Sequence, residues 1–177
     1  MVVRFQYHKE ININKLINSL VGLGLVALLV WNPFPFQILE LKTFDFDKSS
    51  DEFAQFAIAF PKSWNEGTIT FQAFFTANST DTGTVSWALA GVALADNDSL
   101  NTAFGTAVAP TAKAHSGTAN DLDVTAESGA VTIAGSPSVD EYVFFEIFRD
   151  VSADDLDADA KLLVVKLFFT TDAANDA

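Results

Sequence analysis

The sequence contains no cysteine, only two histidines and few basic residues. Without cysteine, the chain can form no disulfide framework, no thiolate zinc site and no cysteine nucleophile. Its 10 Lys and Arg residues stand against 23 Asp and Glu, which gives a formal net charge of -13. A nucleic-acid-binding protein needs a basic face to neutralise phosphates, so this balance argues against nucleic acid as a partner.

The remaining composition is that of a folded chain. Its 177 residues suit one domain with an appendage, and 49% hydrophobic residues are too many for a disordered acidic chain. The charge is unevenly spread, because residues 1–31 hold three bases and one acid. The rest of the chain therefore holds 7 bases and 22 acids, a net charge of -15. We expect an N-terminal arm over residues 1–37 and a β domain over residues 38–177.

An uncharged apolar run, Leu16–Trp31, dominates the arm and predicts a short apolar helix. It is short for a bilayer, which needs about 20 apolar residues, and it also fits a secretory signal. Bases before it and acids after it predict that the N-terminus lies inside and the remainder outside. No small-residue cleavage site follows, so an uncleaved anchor is favoured over a cleaved signal. A helix used in assembly and an unused upstream extension are the alternatives, and membrane contact is expected only if the run is a true anchor.

Beyond the arm, apolar residues alternate with a period of two, as in strands with one face on a core. Turn sequences such as Asn78–Gly83 and Glu127-Ser128-Gly129 separate the runs. One helical turn is expected at Asp98–Phe104, ended by Gly105. About eight short strands predict an all-β fold, an antiparallel β-sandwich or jelly roll. The alternating runs centre on residues 44–46, 56–60, 69–75, 85–89, 124, 131–133, 142–148 and 162–169.

The last two strands are apolar on both faces, whereas one face of an antiparallel sheet normally meets water. Either the excursion Asn97–Ala119 covers the second face, or that face is a subunit interface. We favour a homo-oligomer, with a cyclic trimer as the expected form. The interface candidates are Phe144, Phe148, Leu162, Val164 and Phe168.

No catalytic constellation is evident, so the chain is predicted to be non-enzymatic and to need no cofactor. His115 lies in a loop of small residues and is expected to be solvated. Asp155, Asp157 and Asp159 alternate like the start of a calcium loop, but Ala160 and Lys166 replace its glycine and glutamate. They are weak Ca²⁺ candidates, and a solvated hairpin tip is favoured.

Trp64 lies in a turn between Pro61 and Gly67, where a large ring has no evident core role. Aromatic rings on β-sandwich loops stack sugars in carbohydrate-binding modules, so Trp64 is a possible ligand contact. The favoured alternative is that the ring folds back and plugs one end of the sandwich.

Three segments carry a family resemblance: DEFAQFAIAFPKSWNEGTITFQAFFT, VSWALAGVALADNDSLNTAFGTA and VFFEIFRDVSADDLDADAKLLVVKLFFTTDAA. Together they resemble small virion-structural proteins of tailed bacteriophages, over Thr43–Ala177. The resemblance implies a jelly-roll domain in the virion, as a head-decoration, head-fibre or tail-associated component bound to capsid or tail proteins. Residues 1–40 depart from the short polar arm with which such proteins usually begin.

The residues and the resemblance together predict a non-enzymatic structural component of a phage virion. A carbohydrate-binding module and a membrane-anchored extracytoplasmic domain are the alternatives, with a small hydrolase last.

Overall fold

The computed structural model describes residues 42–174, which form an all-β structure. The predicted N-terminal helix and the boundary between residues 37 and 38 lie outside the described residues. The described strands are β1 (Phe44–Phe46), β2 (Phe53–Ala59), β3 (Thr70–Ala77), β4 (Thr84–Val85), β5 (Trp87–Leu94), β6 (Lys113–Ala114), β7 (Asp123–Val124), β8 (Ile133–Ala134), β9 (Tyr142–Arg149) and β10 (Ala160–Phe168). A short 3-10 turn at Val151–Ala153 follows β9.

The strands form two four-stranded sheets and one small ribbon. The first sheet has the order β1-β10-β3-β7 and is antiparallel throughout. The second sheet has the order β2-β9-β5-β8, in which only the β5–β8 pair is parallel. The strands β4 and β6 form a separate two-stranded antiparallel ribbon. The expectation of an all-β fold with antiparallel sheets is confirmed, apart from the parallel β5–β8 pair.

The two sheets share one hydrophobic core because each turns its apolar face towards the other. On β9 the alternation buries Val143, Phe145 and Ile147 completely. Ring contacts connect the sheets, since Phe46 of β1 lies 4.9 Å from Trp87 of β5, between ring centroids. Burying each such aromatic side chain contributes about 1.5–3 kcal/mol. This core holds the sheets in fixed positions, so that their outer faces are rigid surfaces.

A β-bulge in β10 changes which side chains enter the core. Leu162 pairs with Phe75, but Val164 pairs with the adjacent Phe74, so one extra residue is accommodated between them. A bulge of this kind shifts the alternation by one position. Leu162 is consequently 5% exposed and lies in the core. Its placement on an outer face beside Val164 and Phe168 was wrong, because uninterrupted alternation was assumed.

Irregular segments cover the long edges of β3 and β5. Along β3, the backbone N–H groups of Phe71 and Ala73 donate to the hydroxyl groups of Ser128 and Thr125, each at 3.0 Å. Along β5, Leu89 and Val108 exchange two backbone hydrogen bonds of 3.0 Å. These hydrogen bonds satisfy strand groups that would otherwise face water or a neighbouring chain.

The expected helical turn at Asp98–Phe104 is wrong. Two separate tight turns occupy this segment, with Asp98 donating to the Ala95 carbonyl at 3.1 Å and Thr102 to the Ser99 carbonyl at 3.3 Å. The Asp98 carboxylate accepts a hydrogen bond from the N–H of Ala95. Leu100 is 83% exposed, so no apolar face is buried that would stabilise a helix here.

Candidate functional site

The five interface candidates do not form one surface. Phe144 and Phe148 are half-buried on the outer face of the second sheet. Val164 and Phe168 are half-buried on the outer face of the first sheet, across the core from them. With Leu162 in the core, the predicted set divides between two opposite faces and the interior.

The more apolar of these outer faces lies on β2 and β9, and we call it the β2–β9 patch. The strand register places Phe53 beside Phe148, Ala57 beside Phe144 and Ala59 beside Tyr142. Phe53 is 57% exposed and Tyr142 is 60% exposed. One polar pair crosses the face, where the Gln55 amide donates to the Glu146 carboxylate at 2.9 Å. The patch consists of Phe53, Ala57, Ala59, Tyr142, Phe144 and Phe148.

Polar side chains cover more of the outer face of the first sheet. Lys166 lies beside Gln72, and its ammonium group is 4.4 Å from the centroid of the Phe168 ring. Thr70, the strand neighbour of Phe168, donates a hydrogen bond to Glu127. A lysine chain lying over an aromatic ring shields that ring while its charge stays in water. The β2–β9 patch is therefore the better candidate for an interaction surface.

Trp64 lies inside the core. It is 1% exposed, and its ring stacks on Phe60 with 4.1 Å between centroids. Its backbone forms an isolated bridge with Thr171, which ties the turn to the segment after β10. The possible ligand contact at Trp64 does not match this placement, because no ring face is open to a sugar. Burial of a large apolar ring explains why it occupies a turn beside the end of the sheets.

The acidic segment between β9 and β10 binds the loop before β4. The Asp155 carboxylate accepts from the backbone N–H of Thr84 at 2.5 Å and from its hydroxyl at 2.7 Å. The Asp81 carboxylate accepts from the N–H of Asp157 at 2.7 Å. Gly83 permits this approach, since an added Cβ would lie 2.6 Å from the Asp155 carbonyl oxygen. The carboxylates thus connect two loops at one end of the sheets.

These hydrogen bonds shift the acid equilibria of the loop carboxyls. The pKa of Asp155 is lowered from 3.8, chiefly by the backbone N–H of Thr84. The pKa of Asp81 is lowered from 3.8, chiefly by the backbone N–H of Asp157. The Asp157 carboxylate also raises the pKa of Lys48, whose ammonium group lies 2.5 Å away. Each shift favours the charged form of the group.

The weak Ca²⁺ candidates are occupied by protein donors. The Asp155 carboxylate accepts a hydrogen bond from Thr84, and the Asp157 carboxylate forms an ion pair with the Lys48 ammonium group. Asp159 accepts from the backbone N–H of Lys48 at 3.2 Å. Within residues 42–174, no three His, Asp or Glu side chains are arranged to hold a metal ion. A Ca²⁺ site at these aspartates would have to displace the hydrogen bonds that connect the loops.

Arg149 forms a buried ionic cluster that the sequence did not reveal. Its guanidinium group is fully buried and forms two hydrogen bonds to Asp154, at 2.6 and 3.0 Å. It also donates to the backbone carbonyls of Phe46, Leu156 and Ala158. The sequence signal that could have predicted its burial is that Arg149 falls on the inward-facing side of the β9 alternation. Its bonds connect β1 with the segment that follows β9, so its role is structural.

His115 is 2% exposed, so the expectation that it is solvated was wrong. Its Nδ1 lies 2.6 Å from the Asp123 carboxylate, and its Nε2 lies 3.1 Å from the Ser79 carbonyl oxygen. Asp123 also accepts from the N–H of Ser116 at 3.2 Å, and the Lys113 ammonium group lies 3.8 Å from its other oxygen. Because both ring nitrogens face acceptors, the imidazole has no free nitrogen to offer a substrate.

Comparisons with family models, with curated proteins and with solved structures found no match for this chain. Among residues 42–174, no helix is long and apolar enough to cross a membrane. The apolar run Leu16–Trp31 lies outside the described residues.

Proposed function

We propose that this protein is a non-enzymatic structural component of a phage virion, as a capsid decoration or a head or tail appendage. The observation that carries the proposal is the β2–β9 patch, an exposed apolar surface on a rigid sheet. Contiguous exposed apolar surface on a soluble domain is typical of a protein contact site. The resemblance of Thr43–Ala177 to phage virion-structural proteins implies that capsid or tail proteins make this contact, and the apolar outer face of β9 favours further copies of the chain as well.

The strand order supports a sandwich derived from the jelly roll. In an eight-stranded jelly roll, strand one pairs with eight, two with seven, three with six and four with five. The two large sheets contain eight strands, which we count one to eight in chain order. In this count β1 pairs with β10 as strand one with strand eight, and β2 pairs with β9 as strand two with strand seven. The other two pairs differ from the jelly roll. The third strand, β3, pairs with the fifth, β7, and the fourth strand, β5, pairs with the sixth, β8. The proposed fold is therefore a jelly roll whose fifth and sixth strands, β7 and β8, have exchanged sheets.

The packing of the domain is consistent with a passive structural role. Two buried polar clusters, Arg149–Asp154 and His115–Asp123, connect loops to strands in the described part of the chain. The loops at the acidic end are connected by carboxylate hydrogen bonds. A component of a particle must keep one shape, and these contacts fix the segments between strands that would otherwise move most.

The proposal is tested by incorporation into particles. The tagged full-length chain is expressed in the producing host, and particles are purified by density-gradient centrifugation. We expect the chain to band with the particles and Tyr142→Lys to reduce its incorporation at an unchanged melting temperature. Leu122→Lys is the matched control, because Leu122 is 59% exposed, nearly as Tyr142 is, but lies beside β7 of the first sheet. Absence of the wild-type chain from the particles would contradict the proposal.

A further inference from the structure

The strand β2 lies at the edge of the second sheet with one side open. Over Phe53–Ala59 its sequence, FAQFAIA, has no charged residue and no proline. Within residues 42–174, β2 pairs with β9 alone. Proteins usually protect such edges with charges, prolines, bulges or covering segments. The edges of β3 and β5 are covered in this way, and β1 is only three residues long.

The pairing of β5 with β9 shows which backbone N–H and C=O groups of β2 point away from the sheet. The backbone N–H and C=O of Leu89 both form hydrogen bonds with Val108, so they point away from β9. Its neighbour on β9, Ile147, therefore directs its backbone groups at β2, where it pairs with Ala54. Because these directions alternate along a strand, the next residues of β2 direct theirs at the open edge. The residues with outward N–H and C=O groups are Phe53, Gln55, Ala57 and Ala59.

We propose that β2 pairs with β2 of a second copy of this chain, antiparallel and about a two-fold axis at Phe56. In this register Phe53 lies opposite Ala59 of the second copy, and Gln55 lies opposite its Ala57. Every outward N–H and C=O group then finds an acceptor or donor across the axis. The large Phe53 side chain meets the small Ala59, so the outer faces of both copies continue into one surface.

The charges at the ends of β2 also fit a second copy. Asp51 and Glu52 precede the strand, and the exposed Lys62 follows it. An antiparallel pair brings the acidic end of one strand to the basic end of the other. Two copies with a net charge of -13 repel each other overall, so a stable contact requires an uncharged centre with opposite charges at its ends. The β2 edge meets both requirements, and the pairing does not depend on the proposed virion role.

Sedimentation velocity of the full chain tests the pairing through two substitutions at one position. Ala57→Pro removes an outward N–H that makes no hydrogen bond within the subunit, so the domain keeps its own ladder. We expect it to weaken dimerisation by about thirtyfold, the effect of two lost hydrogen bonds per dimer. Ala57→Lys places a charge beside the axis, opposite Gln55 of the second copy, and is expected to weaken the dimer by at least about tenfold.

Ala126→Lys is the matched control, because it makes the same charge change at an exposed alanine beside β3. It is expected to leave the dimer unchanged. Circular dichroism and the melting temperature of each variant verify that the monomer is folded. A folded Ala57→Pro variant that dimerises like wild type overturns the pairing. A wild-type mass of one chain, or of three as in the trimer expected from the sequence, overturns it as well.

Amide hydrogen exchange followed by NMR tests the same contact residue by residue. The amides of Ala54, Phe56 and Ile58 bond to β9 and should be protected at every protein concentration. The amides of Gln55, Ala57 and Ala59 should exchange quickly in dilute protein and at least about tenfold more slowly in concentrated protein. Protection that does not depend on concentration, or that appears on another strand, would show that a different surface joins the copies and would overturn the proposal.

Discussion

Arg149 takes part in the packing of the core as much as the aromatic residues around it. It occupies an inward position of β9, where Val143, Phe145 and Ile147 precede it. A buried guanidinium group is tolerated only if its charge and its N–H groups are satisfied. Asp154 supplies the charge and three backbone carbonyls accept the remaining hydrogen bonds. The cluster thus specifies the path of the segment that follows β9.

Replacing Arg149 should destabilise the domain strongly. The side chain of Asp154 is 2% exposed, so Arg149→Met leaves a buried carboxylate without its partner. We expect the free energy of unfolding in urea to fall by about 3–5 kcal/mol. The double variant Arg149→Met/Asp154→Asn removes that uncompensated charge and should recover part of the loss. A loss below about 1 kcal/mol in the single variant would show that the cluster is solvated.

Trp64 gives a second prediction at this scale. Trp64→Ala leaves a cavity against Phe60, and we expect a loss of about 3–5 kcal/mol in the free energy of unfolding. Trp64→Phe should cost less, because a ring is kept and the indole N–H has no hydrogen-bond partner within the described part of the chain. Both are measured by urea denaturation beside a glycan-binding assay. Glycan binding by wild type that Trp64→Ala abolishes at unchanged stability would show that the ring contacts a ligand instead.

At the scale of elements, carboxylate hydrogen bonds connect the β9–β10 segment with the loop before β4. The folded state lowers the pKa of Asp155 and Asp81. A group with a lowered folded pKa stabilises the protein above its unfolded pKa, and the contribution is lost as pH falls through the folded value. These loops should therefore stay connected at neutral pH and separate in acid.

Asp155→Asn tests this connection. In wild type, the free energy of unfolding should decrease as pH falls below about 4, because the unfolded chain then takes up protons at both carboxyls, whereas the lowered pKa values of the folded state delay this uptake to lower pH. The variant cannot lose the charge at residue 155, so its stability should be lower at pH 7 and its decline in acid shallower. Asp140→Asn, at an exposed acid in the turn before β9, is the matched control. Parallel profiles for wild type and Asp155→Asn would contradict the assigned role.

The two last strands show what sequence alone could predict about the elements. In β9 the alternation is uninterrupted, and the inward positions of Val143, Phe145 and Ile147 follow from it. In β10 the bulge depends on how the strand fits β3, which sequence periodicity does not contain. That is why Leu162 was placed on the wrong face. The parallel pairing of β5 with the short β8 is likewise a property of the assembled sheet.

The candidate surface was predicted less completely than the strands. Phe144 and Phe148 were identified because β9 is apolar on both faces. Phe53 was missed as a member of the surface, since its position depends on the pairing of β2 with β9, about 90 residues apart in the chain. Tyr142 follows from the same alternation of β9 as Phe144 and Phe148, but it was left out of the interface candidates. His115 was mistaken for a solvated residue because Asp123 and Ser79 reach it only in the folded state. The small residues next to His115 in the sequence do not predict that these partners bury it.

At the scale of the whole molecule, the net charge of -13 opposes compaction. Only a few opposite charges lie close together in residues 42–174, such as Lys48 with Asp157 at 2.5 Å and Lys161 with Asp45 at 3.9 Å. Repulsion among the unpaired acids raises the free energy of the folded chain more than that of the expanded chain. The acids that limit unwanted association therefore also reduce stability.

Salt should consequently stabilise the protein. Raising NaCl to about 0.1 M shortens the screening length to roughly 10 Å, which weakens repulsion between separated acids more than it weakens the buried pairs. We expect the melting temperature of dilute full-length protein to rise by several degrees, measured by calorimetry. Choline chloride should have the same effect if screening is the cause, whereas a specific Na⁺ site would respond to NaCl alone. A melting temperature that falls with salt would mean that surface ion pairs such as Lys48–Asp157 stabilise the fold more than the general repulsion destabilises it. The acidic surface would then contribute to stability as well as to solubility.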